Sequence, residues 1–184
     1  MTVIPGSVPA TRPANGAPAP IWAVVDSSVG ELLLATDGTA LTAVLFDGHR
    51  GSTGPHPALG RSGSRDDEHP VLVHARDQLA EYFARRRREF DLPLAPAGSA
   101  FQRRVWAALQ EIPYGRTASY GDVARRLGLV AGASRAVGLA NGANPISIII
   151  PCHRVIGSDG SLTGYGGGLE RKRLLLDLER DLLF

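Results

Sequence analysis

Residues 144–156 constrain this chain more than any other segment. Asn144-Pro145 breaks the chain, and the run that follows, Ile146-Ser147-Ile148-Ile149-Ile150, is almost wholly apolar. A short apolar run bounded by a turn signal and rich in β-branched residues predicts a buried strand. The run ends abruptly at Pro151-Cys152-His153-Arg154-Val155. Cys152 is the only cysteine in 184 residues, so no internal disulfide can form and a zinc site built on several thiolates is excluded. No metal and no cofactor is expected.

The rest of the chain organises around two units. Residues 1–20 carry five prolines and little that could pack, and read as a disordered tail. Ile21–Val25, Leu32–Thr36 and Leu41–Phe46 read as strands, and Asp37-Gly38 predicts a two-residue hairpin. Residues 47–70 read as a surface loop whose histidines, His49, His56 and His69, are too irregularly spaced to argue for a metal. Leu72, Ala75, Leu79, Tyr82 and Phe83 have helical spacing over 71–87, with the run Arg85–Arg88 at the end. Leu92–Gly98 reads as a linker, which gives an N-terminal α/β domain over 21–91 and a C-terminal domain over 99–184.

That second domain reads as mostly helical. Ser99 and Gln102 form a capping-box pair ahead of Phe101, Val105, Ala108, Leu109 and Ile112, and Pro113 stops the helix. Ser119 and Asp122 cap another, ended by Gly128. A third, Ser134–Asn141, is rich in small residues, and the last runs over 169–182. Two short helices with a tight connection resemble a helix-turn-helix, although many helical hairpins bind nothing. Charge agrees weakly: residues 1–96 hold nine basic and eleven acidic residues, net −2, and residues 97–184 hold eleven and seven, net +4. A basic half favours an anionic partner such as nucleic acid, with an ordinary solvated surface as the alternative. No apolar run is long enough to span a membrane and no secretory signal is evident, so the cytoplasm is the expected compartment.

A lone cysteine is most often a small core residue. Here it stands beside His153, the only histidine of the basic half, and Arg154 adds positive charge. A thiol attacks as thiolate, and a neighbouring base or cation promotes that form. Adjacent side chains on extended backbone point apart, so His153 reaches Cys152 through a water unless the turn folds them together. A base also needs an orienting acceptor, and Glu179 is a candidate.

Ile150-Pro151-Cys152-His153-Arg154-Val155-Ile156 resembles the signature of the O6-alkylguanine-DNA alkyltransferases. Phe101–Tyr114, Ser119-Tyr120, Ser134–Gly138, Asn141–Pro145, Gly164–Gly168 and Glu179 fall in that family's order and spacing. The likeness is close over 99–180 and only a general pattern over 21–90.

The resemblance implies an α+β chain: a ribonuclease H-like domain with a small antiparallel sheet, then a winged-helix-like domain carrying the helix-turn-helix. It implies direct-reversal DNA repair, in which O6-alkylguanine, and less well O4-alkylthymine, is flipped from duplex DNA through the minor groove. The alkyl group passes irreversibly to Cys152, once per molecule. His153 is implied as the base through a bridging water, and Glu179 as the group that fixes its tautomer. Arg135 is implied to fill the space of the flipped nucleotide, and Tyr120 to rotate the backbone phosphate. Ala136 and Ala140 would let the helix press into the groove. The carbonyls of Cys152 and Val155, Tyr165 and the Gly166 amide would face guanine, and Asn144 would tie the recognition helix to the active-site strand. The partner is double-stranded DNA, with no membrane, and the protein acts as a monomer that could assemble cooperatively on DNA. The alternatives are a non-catalytic alkyl-lesion-binding protein, a Cys-His hydrolase and a plain helix-turn-helix regulator. Alkyl transfer further requires a thiol that can be reached from a DNA-facing surface.

Overall fold

The computed structural model describes residues 19–46, 63–130 and 132–180. Of the tail expected over 1–20, residues 1–18 lie outside the described residues, as do His49 and His56. The three predicted strands form over their predicted spans: β1 (Ile21–Val25), β2 (Leu32–Thr36) and β3 (Leu41–Phe46). β1 pairs antiparallel with β2, and β2 antiparallel with β3. A short β4 (Ser64–Arg65), inside the segment read as loop, adds parallel to β1, giving the order β3-β2-β1-β4. The hairpin expected at Asp37-Gly38 is longer than two residues, because Thr36 pairs with Leu41. The Asp37 carboxylate accepts from the backbone N–H of Thr39 at 2.8 Å and of Ala40 at 2.9 Å, closing a four-residue turn by side-chain capping.

α1 (Pro70–Phe83) packs on the sheet and buries Leu72, Ala75, Leu79 and Tyr82. It ends before the arginine run, where Arg85 takes a left-handed φ of 56°. The predicted linker is not a free tether. Leu41 N–H donates to Pro93 O and Ala95 N–H donates to Leu41 O, so residues 93–95 cover part of the open edge of β3.

α2 (Ala100–Gln110) and α3 (Tyr120–Arg126) both start at complete capping boxes, Ser99/Gln102 and Ser119/Asp122. α4 (Ser134–Gly142) packs on α2 and α3, and Trp106 Nε1 donates to Ala140 O at 2.8 Å across that junction. β5 (Ala118–Ser119) pairs parallel with β6 (Val155–Ile156), which sets the start of α3 beside the cysteine turn. α5 (Leu169–Glu179) closes the domain. One apolar core runs through both halves, from Leu34, Val44 and Tyr82 to Trp106, Val137, Ile150 and Leu175. Among the described residues no helix is long and apolar enough to cross a membrane.

The strand predicted at 146–150 is a correction. Val44 N–H donates to Pro145 O and Ser147 N–H to Val44 O, forming a single parallel bridge on the β3 edge. The chain then coils: Ile150 N–H donates to Ile146 O, Cys152 N–H to Ile150 O, and Ile148 takes a φ of 72°. Ile146, Ile148 and Ile150 are fully buried, and core lies on every side of them. Apolar composition therefore reports burial here but not backbone shape. A β-branched residue in the left-handed region costs roughly 1–3 kcal/mol, and the surrounding packing holds it.

Candidate active site

The coil delivers Cys152 into a single 3-10 turn, Cys152–Arg154. Asn144 shapes the approach. Its Oδ1 accepts from Ile146 N–H at 3.0 Å, while its Nδ2 donates to Ile150 O at 2.9 Å and to Cys152 Sγ at 3.1 Å. Asn144 thus joins the end of α4 to the thiol while also holding the local turn into Ile146. Asn141, which sequence reasoning missed, reaches Cys152 O at 3.4 Å and keeps its own Oδ1 buried without a protein partner.

Cys152 is only 4% exposed. Burial pushes its pKa up from 9.0, against the hydrogen bond from Asn144 and the charge of Lys172, so the resting side chain is a thiol. Arg154 does not supply the positive charge expected of it, because it is bound elsewhere. The cation near the sulfur is Lys172, fully buried on α5, whose Nζ donates to Val155 O at 2.6 Å and Thr163 O at 2.9 Å. Desolvation lowers the Lys172 pKa to about 8. The Val155 carbonyl assigned to substrate is therefore shared with Lys172 and has one lone pair left.

Behind the thiol lies a carboxylate-centred network. Glu179 Oε1 accepts from Tyr82 OH at 2.8 Å, faces His153 Nε2 at 2.8 Å and accepts from Arg154 Nη2 at 2.9 Å. Its Oε2 accepts from Arg154 Nε at 2.9 Å and Gly115 N–H at 3.2 Å. Burial alone would raise the Glu179 pKa, but hydrogen bonds from His153 and Arg154 outweigh it and hold the group at about 2. Burial lowers the His153 pKa below 6.5 against the pull of Glu179, so the imidazole is neutral at pH 7. An ionised Glu179 at Nε2 puts the ring proton there and leaves Nδ1 as acceptor. His153 Nδ1 is buried and has no protein partner. Tyr82 comes from the N-terminal half, a contribution the sequence did not signal. Gly115 has a φ of 70°, and a Cβ there would stand 2.7 Å from the Glu179 carbonyl oxygen. Gly115→Ala is expected to lower stability by about 2 kcal/mol, read as a shift in the urea midpoint.

The cavity touching Cys152 is walled by Asn141, Asn144, Ser147 and Tyr165 and has about 10 Å³ of free space, near the lower limit for one water. Tyr165 OH is buried there without a hydrogen-bond partner, and its ring packs edge-on to Phe46 at 5.7 Å. Outside lies an open groove of about 630 Å³ lined by Gly138, Leu139 and Ala143. Groove and cavity share Gly142, Gly164, Tyr165 and Gly166, so a thin wall separates the thiol from the outer face of α4.

On that face Arg135 and Ala136 are exposed in the first turn of α4. Ala140 is not: it is 3% exposed and faces the core with Val137 and Asn141. Its expected groove contact is corrected on that ground; the exposed residue beside it is Leu139. Tyr120 packs over Gly138, and its hydroxyl accepts from Thr163 Oγ1 at 3.0 Å. Three of the four arginines of the Arg85–Arg88 run are engaged within the protein: Arg85 donates to Asp177 O, Arg87 pairs with Glu81 at 2.7 Å, and Arg88 stacks on Tyr114 at 5.3 Å.

Comparison with known proteins agrees along both halves. The family profile described as 6-O-methylguanine DNA methyltransferase, ribonuclease-like domain, matches residues 21–96, and that of the same enzyme's DNA binding domain matches residues 100–181. A methylated-DNA--protein-cysteine methyltransferase of Mycolicibacterium paratuberculosis is 50% identical over 159 residues, covering 86% of this chain and 92% of that protein. One from Methanosarcina acetivorans is 46% identical over 159 residues, covering 86% of this chain and 97% of that one. The crystal structure of Mycobacterium tuberculosis O6-methylguanine methyltransferase superposes with a TM-score of 0.77 at 48% identity, covering 88% of this chain and 93% of that one. The M. tuberculosis OGT in complex with DNA gives 0.76 at 49% identity, covering 87% and 92%. With a single buried thiol at the heart of a matched domain, the chain belongs to the methylated-DNA–protein-cysteine methyltransferases, the O6-alkylguanine-DNA alkyltransferase family.

Proposed function

We propose that this protein repairs O6-alkylguanine in duplex DNA by moving the alkyl group onto Cys152. The observation that carries the reading is a buried thiol beside a buried histidine whose Nε2 faces the Glu179 carboxylate at 2.8 Å, leaving Nδ1 free of protein partners. Sγ attacks the alkyl carbon; the S–C bond forms as the C–O6 bond breaks, and guanine leaves with the bonding pair. The thiol proton passes to His153 Nδ1 through a water, and Glu179 steadies the imidazolium that results. Tyr165, whose pKa burial holds well above 10.0, stays protonated and donates to the departing base. Nothing in the site attacks the thioether, so each molecule acts once. A DNA substrate is consistent with the expected cytoplasmic compartment.

A purine does not fit in about 10 Å³, so the wall formed by residues 164–166 must shift when an extruded base enters. Arg135, exposed on α4, supports the role of filling the gap in the stack, because a planar guanidinium stacks and hydrogen-bonds like a base. Arg135→Ala is expected to slow repair of duplex DNA by roughly 100-fold, since unstacking costs a few kcal/mol, and to leave reaction with a free-base analogue unchanged. Equal losses on both substrates would contradict the flipping role.

The pH profile follows from the site. His153 must be neutral to accept the proton, and its folded pKa lies below 6.5. The transfer rate is expected to fall below that folded value and to fall again above about pH 8, where Lys172 near the sulfur loses its charge, with a plateau between. A rate climbing steadily with pH would point instead to simple ionisation of the thiol.

The deciding experiment follows the lesion. Duplex DNA carrying O6-methylguanine is mixed with limiting protein, and the methylated base remaining is counted. Repair should stop when lesions removed equal protein added. Continued turnover would favour a hydrolase, and no loss a lesion binder.

A further inference from the structure

We propose that Leu139 is a second wedge into DNA, a positioning residue that enters the minor groove one helical turn from Arg135 and holds open the stack beside the extruded nucleotide. The inference rests on the alkyl-transfer reading and extends it to a side chain that reading does not use. Leu139 is 72% exposed, and only Val130 of the same helix–turn–helix unit is more exposed among the large apolar side chains described. A single exposed leucine is ordinary on a protein surface. Its position distinguishes this one.

Val137, Ala140 and Asn141 fix the inward face of α4. Helical periodicity then sets Leu139 on the outward stripe of Arg135 and Gly142, with Ala136 and Ala143 beside it. Every other side chain of that outward face is small, or is Arg135, and α4 carries no acidic residue to repel phosphate. Leu139 also lines the groove that shares a wall with the thiol cavity, so it stands at the mouth through which a base must pass. Residues four apart on a helix are about 5–6 Å apart at Cβ, which is about two base steps at 3.4 Å each. Leucine is among the side chains that unstack base steps from the minor groove. A polar side chain of equal length would keep water in the gap.

The test compares Leu139→Gln, Leu139→Ala and Leu139→Met with the unaltered full-length chain. Transfer is measured from an O6-methylguanine duplex and from free-base O6-benzylguanine. A 2-aminopurine beside the lesion reports unstacking through its fluorescence, and a thermal melt checks the fold. Leu139→Gln and Leu139→Ala are expected to lose roughly tenfold on the duplex and most of the 2-aminopurine rise, given the apolar area they withdraw. Free-base reactivity and melting should be unchanged, and Leu139→Met should restore the duplex rate. A Leu139→Gln protein that repairs duplex at the unaltered rate, or that loses both substrates in proportion, overturns the wedge while the alkyl-transfer reading stands. Failure of the unaltered chain to gain a methyl group from the duplex and a benzyl group from the free base overturns both.

Discussion

Cys152→Ala is expected to reduce alkyl transfer to nothing detectable while the fold and the affinity for lesion-bearing duplex survive. The thiol is the acceptor atom, and no second cysteine exists to substitute for it. The structural cost of the change is small. Buried cysteine packs as a small hydrophobe, and losing the sulfur opens a gap of about one atom, worth roughly 1 kcal/mol. Asn144 loses one acceptor but keeps Ile150 O at 2.9 Å, so the approach to the turn is held. Transfer to the variant would move the chemistry to another residue. Loss of DNA binding together with transfer would mean the sulfur is structural.

Glu179→Gln is expected to damage both stability and rate. The carboxylate is 1% exposed at its side chain and receives two bonds from Arg154, itself buried. Removing one charge of a buried pair leaves the other uncompensated, at about 3–5 kcal/mol. A glutamine can also present N–H to His153 Nε2, favouring the wrong tautomer, for a further loss of roughly 10²–10⁴-fold in transfer. The pH dependence carries its own sign. The folded pKa of about 2 lies below the ordinary 4.5, so Glu179 stabilises the protein fully above 4.5 and loses that contribution as pH falls toward 2. The unaltered chain should show a falling acid limb in melting temperature across that window, and the variant a flatter one from a lower start. A parallel limb in both would place the acid sensitivity in another group.

What could be read in the sequence divides along physical lines. β1 to β3, the two capping boxes and the Gly128 stop were legible because each depends on neighbours a few residues apart. The run at 146–150 announced its burial, yet its coiled path depends on Asn144 and the β3 edge, which are tertiary partners. The sequence also placed Arg154 beside the sulfur, since adjacency was all it could offer; the fold turns that guanidinium to Glu179 and brings Lys172 from α5 instead. The resemblance implies a groove-facing Ala140, but the inward face of α4 is decided by Trp106 and Val137. The helical spacing of Tyr82 signals burial but not its bond to Glu179, and Leu139 bears no local signal. One owes its place to the packing of the N-terminal half on α5, the other to a surface that only the assembled helices define.

The most direct test is the mass of the intact protein after reaction with an O6-methylguanine duplex, followed by peptide mapping. One added methyl group per chain, carried by the peptide containing Cys152, is the predicted result. An unchanged mass while the lesion disappears from the DNA, or a methyl group on any other residue, would contradict it.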